Sequence, residues 1–361
     1  MKLVLHIGTE KTGTTTLQSS LRRSVGELEK QGVYFPLRTL GNQNHSNLVV
    51  IAGGVDDDGY FRRKAEASLQ VPPARFADTV LTRLKSEMSI RNCRSAIFTS
   101  ELLHSRLVDI QSKQKLFNFL SEIFDDITVV IYIRSQASLA ISRLTTLIVN
   151  GSTSIPRGIL PEVSYSYYFD YKTIIAEYES VFGGSNILVG LYDRCLLKDG
   201  DIRSDFEQRA RIEPGTLGRA ADSNTGLSLE ALEFVAEWNR ISQEGDPSET
   251  GLRRDQLRAW MPLLRAHDGD RPRPRPEDVD HFMAPYSAGN EWVRQRYFPE
   301  RKTLFPIRDE GHAVCTTPRD ESRAGRSAAR AAATLFGSVP AESDGAAANL
   351  VAVDLGASQR R

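Results

Sequence analysis

A mostly apolar run, Leu3 to Ile7, stops at Gly8, and the chain continues Gly8-Thr9-Glu10-Lys11-Thr12-Gly13-Thr14-Thr15. Beyond it, Leu17, Leu21, Val25 and Leu28 share one face of a 3.6-residue period, which predicts a helix starting near Thr14. A short apolar run bounded by glycine is the pattern of a strand buried on both faces. Strand, glycine-threonine loop and helix together constrain this chain more than any other feature. A helix start presents unpaired N–H groups and the positive end of the macrodipole, so the loop suits a phosphate. Gly13 lets the backbone curl round a ligand, Thr9, Thr12, Thr14 and Thr15 add hydroxyl donors, and Lys11 adds a mobile positive charge. The bland alternative is a turn with an exposed lysine.

The phosphate loop of nucleotide triphosphatases reads G-x-x-x-x-G-K-[ST]. Gly8 and Gly13 keep that glycine spacing, but Thr14 follows Gly13 and the lysine stands two places before it. The displacement moves the charge away from a γ-phosphate position, toward the bond between a phosphate and its 5′ substituent.

The rest of the chain alternates strand and helix patterns. Strands are predicted at Val33–Phe35, Ala96–Thr99, Ile127–Ile133 and Ile187–Tyr192, and helices at Ala74–Met88, Lys115–Phe124 and Leu139–Val149. The segment Gly41 to Pro73 reads as polar and irregular. Such alternation implies βαβ units and a parallel sheet. The expected fold is α/β, a P-loop-type parallel sheet flanked by helices, with a helical C-terminal extension and a disordered tail. Residues 1–210 form the expected core. Residues 211–310 form a mostly helical extension completing the domain, and 311–361, rich in Ala, Ser, Gly and Arg without a steady period, form the tail.

Lys plus Arg and Asp plus Glu both count 46, and this balance argues against a general nucleic-acid binder. Cys93, Cys195 and Cys315 lie far apart and offer neither a disulfide framework nor a zinc spacing. No stretch approaches the ~18 apolar residues of a membrane span. A cytoplasmic protein without a membrane span is expected.

In open parallel sheets, ligands bind beyond the carboxyl ends of the strands. Gly8, Glu101 and Arg134 each follow a different predicted strand, so all three are expected at one edge.

The segment Lys11-Thr12-Gly13-Thr14-Thr15 resembles the 5′-phosphosulfate loop of sulfotransferases that use 3′-phosphoadenosine 5′-phosphosulfate (PAPS). Ile131-Tyr132-Ile133-Arg134, with Ser142 eight residues on, resembles the 3′-phosphate site of the same family. The likeness covers about residues 1–210. Asn44-His45, Thr99-Ser100-Glu101, Asn224-Thr225-Gly226-Leu227-Ser228 and Arg296-Tyr297-Phe298-Pro299 are similar to bacterial sulfotransferases of carbohydrate modification. The resemblance implies a PAPS-binding core that moves a sulfuryl group to a hydroxyl or amine, with a carbohydrate or glycolipid as acceptor. Adenosine 3′,5′-bisphosphate would be the product. It implies donor binding by Thr9, Lys11, Thr12, Gly13, Thr14, Thr15, Arg134 and Ser142.

Sulfuryl transfer, like phosphoryl transfer, passes through a loose transition state, where positioning and charge stabilisation dominate. The sulfuryl group carries less charge than a phosphoryl group and no aspartate-rich cluster is evident, so no metal is expected. Lys11 fits the cation on the leaving oxygen. Glu101 and His45 are both candidates for the base, with His104 a third. Histidine titrates near neutrality, whereas a glutamate needs burial to raise its pKa. Glu101 could equally be a first-turn carboxylate and His45 a loop cap. Tyr167, Tyr168 and Tyr171 could line an acceptor cleft or simply pack in the core. Two other readings compete: a P-loop kinase of a small molecule, and a non-catalytic nucleotide-binding protein.

Overall fold

The structure is a computed structural model and describes residues 1–305 other than 42–43, 57–58, 157, 163–164, 219–225 and 245–249. The expected tail from 311 onward lies outside the described residues, as do Asn224 and Thr225.

Five strands form one sheet: β1 (Lys2–His6), β2 (Val33–Tyr34), β3 (Ser95–Thr99), β4 (Asp126–Ile133) and β5 (Ile187–Leu191). Their order is β2-β3-β1-β4-β5, and every pairing is parallel. The α/β parallel sheet flanked by helices is therefore as expected. In register, His6 stands opposite Thr99 on one side and Val130 on the other, and Ile133 stands opposite Leu191. The segments after β1, β3, β4 and β5 consequently leave the sheet at one edge.

The helices are α1 (Thr14–Arg23), α2 (Val25–Lys30), α3 (Asn47–Ala52), α4 (Tyr60–Leu69), α5 (Phe76–Ile90), α6 (Leu102–Arg106), α7 (Ile110–Ser121), α8 (Gln136–Val149), α9 (Tyr171–Phe182), α10 (Ile202–Ala210), α11 (Leu229–Glu244), α12 (Thr250–Ala266), α13 (Pro276–Met283) and α14 (Ser287–Tyr297). Leu17 and Leu21 of α1, Leu28 of α2 and Ile202 and Phe206 of α10 pack on Ile97, Val130 and Tyr132 of the sheet. On the other face α9 lies against β4 and β5, and α7 against α9 and α3. Burial of each such leucine stabilises the fold by about 1.5–3 kcal/mol. Lys113 of α7 is fully buried, and its Nζ donates to the Leu107 carbonyl at 2.6 Å, Tyr167 Oη at 2.9 Å and Glu177 Oε2 at 2.9 Å. That set of partners satisfies a charge that would otherwise be costly to bury.

Two local readings need correction. The apolar face from Leu17 to Leu28 is carried by two helices, because Ser24, at φ −95° and ψ 13°, leaves helical backbone and closes α1. The segment 41–73 is not irregular: it holds α3 and α4. Helix α3 buries Leu48, Val49 and Ala52, and α4 buries Ala65 and Leu69. Helix α3, of six residues, is too short for a 3.6-residue period to stand out, and the charged residues Arg62, Arg63, Lys64 and Glu66 obscure the apolar positions of α4, so tertiary packing makes them helical.

The chain groups into two compact units. One takes the described residues within Met1–Ala140, Glu162–Ser223 and Val279–Gly311, and the other those within Ile141–Pro161 and Asn224–Asp278. The first holds the whole sheet. The second packs Leu144, Ile148, Ile159, Leu232, Val235 and Leu264 into a core of its own. Among the described residues, no helix is long and apolar enough to cross a membrane.

Candidate functional site

The loop after β1 is anchored to the sheet by its first residues. The Ile7 N–H donates to the Val130 carbonyl at 3.1 Å, the Tyr132 N–H to the Gly8 carbonyl at 2.6 Å, and the Thr9 N–H to the Tyr132 carbonyl at 2.7 Å. Thr12 Oγ1 closes the turn on the Thr9 carbonyl at 2.6 Å. Gly8 sits at φ 90°, and a Cβ there would lie 3.1 Å from Glu101 Cα and 3.2 Å from Glu101 Cβ. Glycine is what lets the loop and Glu101 approach so closely.

Lys11 and Gly13 both take left-handed backbone, at φ 63° and φ 74°. For lysine this conformation costs on the order of 1 kcal/mol. Gly13 is the N-cap of α1 and offers no side-chain acceptor, and the first turn carries no acidic residue. The first backbone bond of the helix runs from the Leu17 N–H to the Gly13 carbonyl. The N–H groups of Thr14 to Thr16 therefore have neither an intrahelical acceptor nor a side-chain cap, a donor set that fits an anion.

Glu101 follows β3 and is half-buried beside this loop. Gln18 of α1, 3 % exposed, donates through Nε2 to Glu101 Oε2 at 2.5 Å. Burial above all pushes the Glu101 carboxyl above its ordinary range; the neighbouring Glu10 charge adds to this, while Gln18 and the Lys11 ammonium pull it back. A carboxylate raised by burial and held beside a lysine has the character of a general base.

Arg134 follows β4. Its Nη1 donates to the Lys11 carbonyl at 3.0 Å, and its guanidinium lies 5.8 Å from the centre of the Tyr192 ring. Tyr192 follows β5, and a Cβ on Gly13 would lie 2.8 Å from its ring. Tyr171 Oη donates to the Arg134 carbonyl at 2.7 Å. The ends of β1, β3, β4 and β5 thus converge on one loop. Ser142 lies further along α8, in the part grouped with the second unit, and is half-buried.

His45 is corrected from a candidate base to a structural residue. It is fully buried, its Nε2 donates to the Pro36 carbonyl at 2.9 Å, and its Nδ1 accepts from the Thr99 N–H at 3.0 Å. The ring packs between Phe35 and Phe98. Both nitrogens are engaged with backbone, which leaves no lone pair for an acceptor proton. His104 is likewise occupied: its Nε2 donates to the Tyr168 carbonyl at 3.0 Å and its Nδ1 faces the Glu10 N–H at 3.5 Å.

His45 and His6, both fully buried, are pulled down to about 3 by burial. They stay neutral in the folded chain, while in the unfolded chain they protonate below about 6.5. The unfolded state then binds more protons, so stability falls as pH drops from about 6.5 toward 3, by up to ~1.4 kcal/mol per pH unit for each ring. Urea unfolding across that window should show a shallower decline for His45→Gln than for the parent chain. Equal slopes would mean that this ring is not held neutral.

Sequence reasoning missed Gln18 and Tyr192. Gln18 stands next to Leu17 on a helix whose apolar face is clear, so its burial was readable from position but its partner was not. Tyr168 was named only as a possible cleft residue; its Oη donates to Glu10 Oε2 at 2.9 Å, whereas Tyr167 bonds Glu177 and Tyr171 bonds Arg134. No protein-family model, no curated protein and no solved structure matches this chain.

Proposed function

We propose that this protein is a sulfotransferase that moves a sulfuryl group from PAPS to a hydroxyl or amine, with a carbohydrate or glycolipid as acceptor. The observation that carries the reading is the close approach of Glu101, bonded to Gln18 of α1, to Gly8 of a phosphate-type loop whose helix start has no side-chain cap. The N–H groups at the start of α1 would hold the 5′-phosphosulfate. Arg134, whose Nη1 donates to the Lys11 carbonyl, would reach the 3′-phosphate. Lys11 would neutralise the oxygen that leaves as the donor S–O bond breaks. Glu101 would take the proton of the acceptor as the new bond to sulfur forms.

A ligand that binds only the folded state stabilises it by about 2.7 kcal/mol at a hundredfold excess over Kd, which is several degrees in Tm for a chain of this size. Adenosine 3′,5′-bisphosphate should raise Tm in this way, and ATP with Mg²⁺ should not. The reverse pattern would favour a small-molecule kinase. Stabilisation without transfer of radiolabel from PAPS to any polysaccharide, oligosaccharide, glycolipid or phenol would favour a non-catalytic nucleotide-binding protein.

A further inference from the structure

Helix α1 does two things at once. Its first turn offers N–H donors to an anion, and one turn later it carries a buried amide. Gln18 stands beside Leu17, on the same helix as Leu21, and both leucines pack into the core. A buried amide is costly unless it is bonded. Its bond crosses from α1 to the residue after β3, onto Glu101 Oε2 at 2.5 Å.

We propose that Gln18 is the positioning residue for Glu101, fixing one carboxylate oxygen so that the other is held ready to take the acceptor proton. The inference rests on the sulfotransferase reading above. The residue type matters. A lysine or arginine at this position would orient the carboxylate but suppress its basicity through its charge. A hydrocarbon would leave the carboxylate with only the bond from its own backbone N–H. An amide orients it without adding charge. Because Gln18 and the phosphate-facing N–H groups belong to one short helix, the base is set in a fixed relation to the bound donor, and small misplacements of a reacting group are expensive in rate.

The tests use the full chain. Gln18→Met keeps the volume and removes the donor. It should fold, bind adenosine 3′,5′-bisphosphate as the parent does, and lose about 10- to 100-fold in kcat at neutral pH, the scale of a misplaced catalytic group. The lost hydrogen bond favoured the charged carboxylate, so its removal raises the pKa of Glu101. The acidic limb of the kcat–pH profile should therefore move to higher pH. The exchange Gln18→Glu with Glu101→Gln rebuilds the bonded pair with the carboxylate on the wrong side; it should restore thermal stability but not transfer. Parent-like kcat and an unmoved acidic limb in Gln18→Met, beside an inactive Glu101→Gln, would overturn the role of Gln18 and leave the sulfotransferase reading standing. A fully active Glu101→Gln would remove Glu101 as the base and with it the role of Gln18, while the transfer itself would leave the sulfotransferase reading standing. If the parent chain transfers label to nothing in the acceptor panel, the reading fails by itself. Carbon-detected NMR titration of the Glu101 carboxyl then decides only whether Gln18 holds the carboxylate: a titration point higher in Gln18→Met than in the parent keeps that part, and an unchanged one overturns it.

Discussion

Lys11→Ala should lower turnover by ~100-fold or more, the scale on which removing one transition-state charge contact acts. The side chain is half-buried beside Glu101 and the anion-facing end of α1, whereas the residue's carbonyl, which the substitution leaves in place, is what Arg134 binds. The fold should survive for the same reason. Lys11→Gly is the sharper control. It removes the ammonium yet relieves the left-handed backbone at φ 63°, so it should be at least as stable as Lys11→Ala and just as slow. Transfer of label from PAPS measures the rate, and thermal unfolding checks the fold. Full turnover in either variant would remove Lys11 from the mechanism.

Glu101→Gln should lower kcat by ~10²–10⁴ and leave affinity for adenosine 3′,5′-bisphosphate nearly intact. The amide keeps the shape of the carboxyl and cannot take a proton. Donor affinity should hold because the groups assigned to the phosphates come from the loop, α1 and the end of β4. A matched loss in donor affinity would mean that Glu101 shapes the loop rather than serving as base. Near parental kcat would leave the chain without an identified base, since both ring nitrogens of His45 are already bonded to backbone.

Much of the frame was readable from residues alone. Apolar runs ending in Gly8, Glu101 and Arg134 gave three of the parallel strands, and fold logic put their ends at one edge, where the structure has them. What escaped were features decided by contacts distant in sequence. His45 is an unremarkable loop histidine in the sequence, and only the approach of Thr99, Pro36 and two phenylalanines makes it a buried strut. Gln18 and Glu101 are 83 residues apart, and no local pattern links an amide to its carboxylate. Of the helices of 41–73, α3 has under two turns and so sets no period, and in α4 the run Arg62-Arg63-Lys64 and Glu66 obscures the apolar positions. Tyr192 reads as the last residue of a strand; its role as a wall against Gly13 depends on β5 being the neighbour of β4.

The strand order has a consequence for how such a protein could be altered. β1 is central, β3 lies on one side of it and β4 on the other. On the proposed reading, the stretch through β2 and β3 supplies the group that meets the acceptor, and the later stretch through β4 and β5 supplies Arg134 for the donor and Tyr192, which walls Gly13. These are separate, uninterrupted lengths of chain. On that reading the base and the donor arginine can be varied separately, by exchanging a segment around β3 or one around β4. The piece common to both halves is α1, which faces the donor at its first turn and Glu101 at its second, so any graft has to keep the loop, its helix and the residue they steady as one block.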